Sequence, residues 1–273
     1  MNLTFIIMAK LLYISILLLL FTLQGLTAQE EEIIIDPKSN GVPCRFIFEN
    51  PKGSVEITGY DGGMIIVQAR PRFSRIGNSG TTEGLTRIPV HQMNLSASVK
   101  EGEVVLTCES DNRTIDFTIL VPRDFSLKVG SKDYGEIKIV RIDGEIEANN
   151  PGGNISVENI RGPVVLTSVA GNVMARFASI DNDRPSMMTS FDGNIDVSVP
   201  EEVCLTFNLK SQKGEVLTDL DIKMAKREPR IGSQGEARIY QQDDWSTGHL
   251  NRGGTEFIIS TYYGNIVIKG NGL

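Results

Sequence analysis

Over most of this chain, apolar and polar residues alternate in runs of four to six, and glycine punctuates the runs. From residue 135 the pattern becomes regular. Gly135, Gly144, Gly153, Gly162 and Gly171 fall nine residues apart. Two positions after each stands a β-branched residue: Ile137, Ile146, Ile155, Val164 or Val173. Two further on come Ile139, Ala148, Val157, Leu166 and Ala175. The unit is therefore G-x-[IV]-x-[apolar] with a short polar link. It recurs out of register after Gly53, Gly102, Gly193, Gly214 and Gly264.

Alternation with period two places the β-branched residue and its second neighbour on one face of a strand. The intervening Glu, Lys, Ser or Asn points the other way. Such residues suit a pleated, half-buried surface. The glycines Gly53, Gly135, Gly144, Gly153, Gly162, Gly171, Gly193, Gly214 and Gly264 are expected in turns with positive φ, which glycine alone adopts cheaply. One short strand cannot bury its apolar face alone, whereas stacked units share a continuous core. The expected fold is all-β: a β-solenoid, β-helix-like, with two nine-residue units to each coil of about eighteen residues. An antiparallel β-sandwich is the alternative, since it also spaces strands and turn glycines regularly.

A larger duplication overlies the small one. Val121-Pro122 leads through Leu127 and Val129 to Ser131 and Gly135, and Val199-Pro200 leads through Leu205, Phe207 and Leu209 to Ser211 and Gly214. Proline cannot donate to a ladder and suits the strand end in both copies. Three stretches interrupt the repeat: residues 75–90, residues 178–185 with Asp181-Asn182-Asp183, and a long excursion at about 223–255. Long loops in a compact domain are usually functional or disordered, and insertions in repeat proteins gather on one face, commonly the binding face.

The first thirty residues differ from the rest. Lys10 precedes an apolar run from Leu11 to Phe21, followed by Gly25, Thr27 and Ala28. This is the pattern of a secretory signal, with cleavage expected after Ala28. Residues 1–28 are read as that signal and 29–273 as a single repeat domain. No cysteine follows the run closely enough for a lipid anchor, and no second segment reads as a membrane span. The formal charge of −7 argues against a nucleic-acid partner. Cys44, Cys108 and Cys204 are expected to be small buried side chains, the alternative being one disulfide bridge plus a free thiol, and their spacing gives no CxxC metal site.

The lead-in Val121-Pro122 through Ile139, and above all the segment from Gly253-Gly254-Thr255 through Tyr262-Tyr263-Gly264 to Ile268, resemble exported bacterial β-strand-repeat proteins that carry an adhesin label. Their shared domain has no assigned biochemical function. The resemblance covers about residues 45–270. It implies an exported β-solenoid at the cell surface or in the periplasm and brings no catalytic residues with it.

The residues themselves offer little chemistry. A calcium-binding β-roll needs aspartates that Gly153-Asn154-Ile155 and Gly162-Pro163-Val164 lack. Single-calcium readings remain at Asp181/Asp183 and Asp243/Asp244. There is no G-x-S-x-G or H-E-x-x-H, and His91 and His249 fall in expected loops. The one cluster of binding or catalytic residue types is Arg227, Arg230, Asp243, Asp244, Trp245 and His249, on the long excursion. Tyr262 and Tyr263 are expected on a strand, one inward and one outward. The function expected is a non-enzymatic, cofactor-free, adhesin-like binding module, with a glycan or an envelope or matrix protein as partner and self-association through the solenoid ends. The alternatives are an envelope scaffold and a polysaccharide-active β-helix enzyme, which would use paired carboxylates.

Export predicts a mature chain beginning at Gln29. N-terminal sequencing of protein recovered outside the cytoplasm checks this. A chain that keeps Met1 would overturn it.

Overall fold

The computed structural model describes residues 31–37, 44–72, 94–109, 113–180, 184–225, 230–234, 237–241 and 245–271. These residues are all-β, without helix, and form two large mixed sheets and one separate hairpin. The signal segment, the 75–90 stretch, Asp181 to Asp183 and His91 lie outside the described residues.

The chain alternates between the sheets. β1 (Glu31–Ile35) lies in sheet A, β2 (Arg45–Asn50) in B, β3 (Val55–Tyr60) and β4 (Ile65–Pro71) in A. β5 (Asn94–Lys100) and β6 (Glu103–Glu109) lie in B and β7 (Ile115–Pro122) in A. Then one strand falls in each sheet by turns, beginning in B: β8 (Ser126–Ser131), β9 (Ile137–Val140), β10 (Ile146–Asn150), β11 (Ile155–Ile160), β12 (Val164–Ser168), β13 (Val173–Phe177), β14 (Ser186–Ser190) and β15 (Ile195–Val199). β16 (Leu205–Ser211) is in B and β17 (Val216–Thr218) in A. The expected long loop contains β18 (Ile222–Met224), the hairpin β19 (Arg230–Gln234) and β20 (Ala237–Gln241), and β21 (Ser246–Leu250). β22 (Thr255–Thr261) in B and β23 (Ile266–Gly270) in A complete the series.

The central strands of both sheets are parallel, and antiparallel pairs occur only at the ends, through β1, β4 and β5 on one side and β18 and β21 on the other. Antiparallel pairing is thus confined to the margins of the two sheets. In the regular section the strands pair eighteen residues apart, as Ile146 with Val164 and Ile155 with Val173. Two excursions break the sequential order. β6 and β7 lie outside β2 and β3, and β22 and β23 fill the slot between β14/β15 and β16/β17.

The inward residues of both sheets form one core, including Phe48, Ile57, Phe117, Ile137, Ile155, Leu166, Phe177, Phe207, Phe257 and Ile266. Phe48 meets Phe117 edge-on at 4.7 Å, and Phe177 meets Phe257 at 5.1 Å, so aromatic contacts tie sheet to sheet. Each such fully buried side chain stabilises the fold by about 1.5–3 kcal/mol through the water it leaves.

The repeat glycines are needed for a reason other than the expected one. Of the nine, Gly53 alone has positive φ, at 119°. The others are required by close approach between rungs. A Cβ on Gly135 would lie 1.7 Å from the Gly53 carbonyl oxygen, on Gly153 2.1 Å from that of Gly135, and on Gly171 2.0 Å from that of Gly153. The series continues through Gly193, Gly264 and Gly214, each against the glycine carbonyl of the neighbouring rung. On the opposite edge, Gly162 and Gly144 are stacked the same way, at 2.1 Å.

In the turns of Gly153, Gly171, Gly193, Gly264 and Gly214, a polar residue three positions before the glycine holds the backbone. The Ser168 hydroxyl accepts from the Gly171 amide at 2.9 Å and donates to the Asn150 carbonyl at 3.0 Å. Ser190, Thr261 and Ser211 donate to the carbonyls of Gly171, Gly193 and Gly264 on the neighbouring rungs, at 2.8–2.9 Å. Just outside the glycines an asparagine ladder runs along the edge. The amides of Asn172, Asn194 and Asn265 donate to the side-chain oxygens of Asn154, Asn172 and Asn194, at 2.8–2.9 Å. These bonds satisfy turn amides that a plain loop would leave to water.

Gly171→Ala is expected to destabilise the protein by about 3 kcal/mol, since a backbone oxygen must move. Gly63→Ala, with nothing near its Cβ, should stay within about 0.5 kcal/mol. Thermal or denaturant unfolding of the two variants checks this, and equal effects would overturn the close-approach account.

Candidate functional site

The residues singled out by sequence on the long excursion are only partly brought together. Arg227, Asp243 and Asp244 lie outside the described residues, and Arg230 opens β19. His249 is not in a loop. It sits on β21, paired with β16, and its Nδ1 lies 3.2 Å from the Thr206 hydroxyl. Trp245 is half-buried immediately before β21, with the Lys210 ammonium 5.9 Å from its ring centroid.

Trp245 and Lys210 stand at the end of a different feature, on the outer face of sheet B. The strand register places Asn149, Thr167, Thr189 and Ser260 side by side on β10, β12, β14 and β22, with Gly130 before them and Lys210 after. Strand neighbours lie about 4.8 Å apart, so the four form a row about 14 Å long. Thr189 and Ser260 hydroxyls are 3.4 Å apart. Two residues before each position on the three middle strands stand Val165, Met187 and Ile258. Two residues after stand Val169, Phe191 and Tyr262, in the turns. The nine residues of these three strands carry no charge. A row of small hydroxyl residues thus lies between an aliphatic row and a row of larger turn residues.

The aromatic part is well exposed: Phe191 50%, Tyr262 38% and Tyr263 54%. Phe191 and Tyr262 stack on each other with centroids 5.1 Å apart and planes at 17°. Tyr263 lies across both, at 88° to Phe191 and 71° to Tyr262. The expectation that one tyrosine would face inward fails because strand β22 ends at Thr261, and both rings belong to the turn. Farther along the same edge, Tyr134 is 82% exposed and its ring lies against Gly152.

Charge returns beside it, on β2, β8 and β10 and ahead of the strand starts. Lys128 pairs with Glu147 at 2.8 Å and Arg45 with Glu147 at 3.4 Å. Arg184 pairs with Glu145 at 2.8 Å, and Lys132 with Glu49 at 3.4 Å. The outer face of sheet A is also charged, with Lys138–Glu56 at 2.9 Å and Lys269–Asp196 at 3.0 Å. The Glu56 carboxylate holds the Lys138 ammonium above its ordinary value through a hydrogen bond and its charge. The uncharged face is therefore a local property of three strands rather than of the whole surface.

Among the described residues, no group of three or more His, Cys, Asp or Glu side chains is placed to hold a metal ion. The cysteines differ from expectation at one position. Cys44 and Cys108 are buried, but Cys204 is exposed in the turn between β15 and β16. Its carbonyl oxygen would lie 2.3 Å from a Cβ on Gly254, so this turn packs backbone against backbone and leaves the side chain outside.

No protein-family model matches the chain, and no curated protein matches it by sequence. A crystal structure from Clostridium sporogenes, described as a "putative cell adhesion protein", overlays with a TM-score of 0.44 at 12% identity. The match covers 90% of this chain and 100% of that one. Identity and overlap at this level assign the chain to no family.

Burial pushes the Cys108 thiol up from its ordinary value, and the Glu31 charge adds to this. The folded state holds that proton more tightly than the unfolded state. The associated stability is full below the ordinary value and is lost as pH rises through the raised one. A thiol reagent near neutral pH should modify Cys204 rapidly, and Cys44 and Cys108 only after unfolding. Rapid modification of all three in the folded protein would refute these positions.

Proposed function

We propose that the chain is a non-catalytic, adhesin-like binding module acting outside the cytoplasm, with the uncharged face of sheet B as its contact surface. In this reading the two sheets are the two sides of one flattened β-solenoid, and each rung contributes one strand and one turn to the working surface. Such a ladder holds a flat array without needing ligand to order it, so little freedom is lost on binding.

The observation that carries the reading is the three-strand array Val165-x-Thr167-x-Val169, Met187-x-Thr189-x-Phe191 and Ile258-x-Ser260-x-Tyr262. A patch with exposed Phe and Tyr, rimmed by ion pairs, has the composition of a contact surface rather than of plain solvated sheet. Export is supported by the apolar run before Ala28 and by the resemblance at Gly253 to Ile268.

A glycan and matrix-protein array probed with the exported protein tests the reading. Saturable binding is expected, weakened at least about tenfold by Thr189→Lys, which places a charge at the centre of the face, and unchanged by Thr118→Lys on sheet A. Equal binding by both variants would move the contact surface elsewhere, and release of cleaved products would replace the binding module with an enzyme.

A further inference from the structure

We infer that the face takes an extended, uncharged polysaccharide segment lying across the strands along the row Asn149, Thr167, Thr189 and Ser260. This inference rests on the reading of sheet B as the contact surface and specifies its ligand class.

The row supplies matched chemistry. A hydroxyl both donates and accepts, and the asparagine amide does both through separate atoms. Sugar hydroxyls have the same dual character, so each rung can exchange hydrogen bonds with a ring lying over it. Asn149, Thr167 and Thr189 stand on adjacent strands, and Ser260 follows on the next. A pyranose ring in an extended chain advances by roughly one such rung, so the row fits about four rings at a spacing of about 4.8 Å.

The flanks suit the rest of a sugar. Val165, Met187 and Ile258 border the hydroxyl row on one side, and Val169, Phe191 and Tyr262 on the other. Phe191 and Tyr262 turn their planes toward each other at 17°, so their ring edges line the row. Carbon-bound hydrogens of a sugar can pack on both borders while its hydroxyls meet the floor. The ends are marked. At one, a Cβ on Gly130 would lie 3.3 Å from the Glu49 side chain, which is paired with Lys132. At the other, Lys210 sits beside Trp245.

Charge selects against the other occupants. An anionic polymer would find no cation within the row itself, and the Lys128, Arg45 and Arg184 cations at its border are already paired with Glu147 and Glu145, so it would lose hydration without a free partner along the row. A folded protein partner needs about 800 Å² on each side, or roughly 20–30 residues. To reach that, it would have to spread onto the Glu145–Arg184 and Arg45–Glu147–Lys128 pairs. A slender neutral chain stays inside the border.

Calorimetry with the exported protein and linear oligosaccharides of one to six rings tests this. The probes are β-1,4-linked glucose and N-acetylglucosamine series, with oligogalacturonate as the anionic comparator. Affinity for a neutral series should rise at least about tenfold from two rings to four and then level off. It should change less than about twofold between about 50 and 500 mM salt. Thr167→Val with Thr189→Val keeps the β-branched shape and should cost about tenfold, with unfolding unchanged. Preference for the anionic series with steep salt dependence would overturn the inference, as would full affinity in the double variant. If no neutral series binds while a protein on the array still binds and is lost with Thr189→Lys, the contact surface stands and the glycan fails. If nothing binds that face, both fail.

Discussion

Each rung of this protein rests on its neighbour through a carbonyl oxygen lodged where a side chain would begin. Gly53, Gly135, Gly153, Gly171, Gly193, Gly264 and Gly214 form this column, whatever their separation in sequence. An oxygen about 2 Å from the place of a Cβ leaves no room for alanine, so the contact fixes both residue type and register. A one-residue slip would bring a larger residue under the oxygen and would turn the apolar face outward. The buried Ser, Thr and Asn three positions earlier lock the same turns from inside. Straight rows along the outer face follow from this register, because every strand starts from the same edge.

The inward and outward positions then answer to different demands. Inside, Ile, Val, Leu and Phe fill one core between the sheets, and little variation is tolerated there. Outside, the residues are free of packing and carry whatever the surface needs. Most rungs use that freedom for ion pairs such as Lys138–Glu56 and Lys128–Glu147, each of small energetic weight at an exposed site. Rungs β12 and β14 use it for apolar and hydroxyl residues instead, and β22 does so at Ile258 and Ser260, beyond the exposed Glu256 at its start. That contrast within one sheet, under one backbone geometry, is what sets the proposed contact surface apart from the scaffold.

Much of the framework was legible in the sequence. The nine-residue glycine spacing gave the strands from Ile137 to Phe177, and the paired Val-Pro lead-ins gave β8 and β16. The purpose of the glycines is not legible there, because crowding between rungs looks the same in sequence as a demand for positive φ. The excursion at 223–255 was read as a loop. Ser246 to Leu250 alternates weakly, and its strand is imposed by pairing with β16 rather than by its own pattern. The contact surface was out of reach for a topological reason. Met187 and Ile258 are neighbours although 71 residues separate them, and no local periodicity reports that β22 fills the slot beside β14. Trp245 was singled out for its type, and its place beside Lys210 at the row's end came only with the register.

The position of β22 and β23 has a bearing on how the protein comes into being. They are the last strands of the described chain, yet they lie between two pairs made earlier, and Phe257 packs against both Phe177 and Phe207. During synthesis the neighbouring strands emerge with a vacant berth between them. Ile258, Ser260 and Tyr262 arrive only when that berth is filled. A truncated product therefore lacks more than its tail: it lacks a middle rung, and with it one of the three strands of the proposed contact surface. A chain cut before residue 255 leaves Phe177 and Phe207 without Phe257 between them, so the loss falls in the middle of the stack rather than at its end.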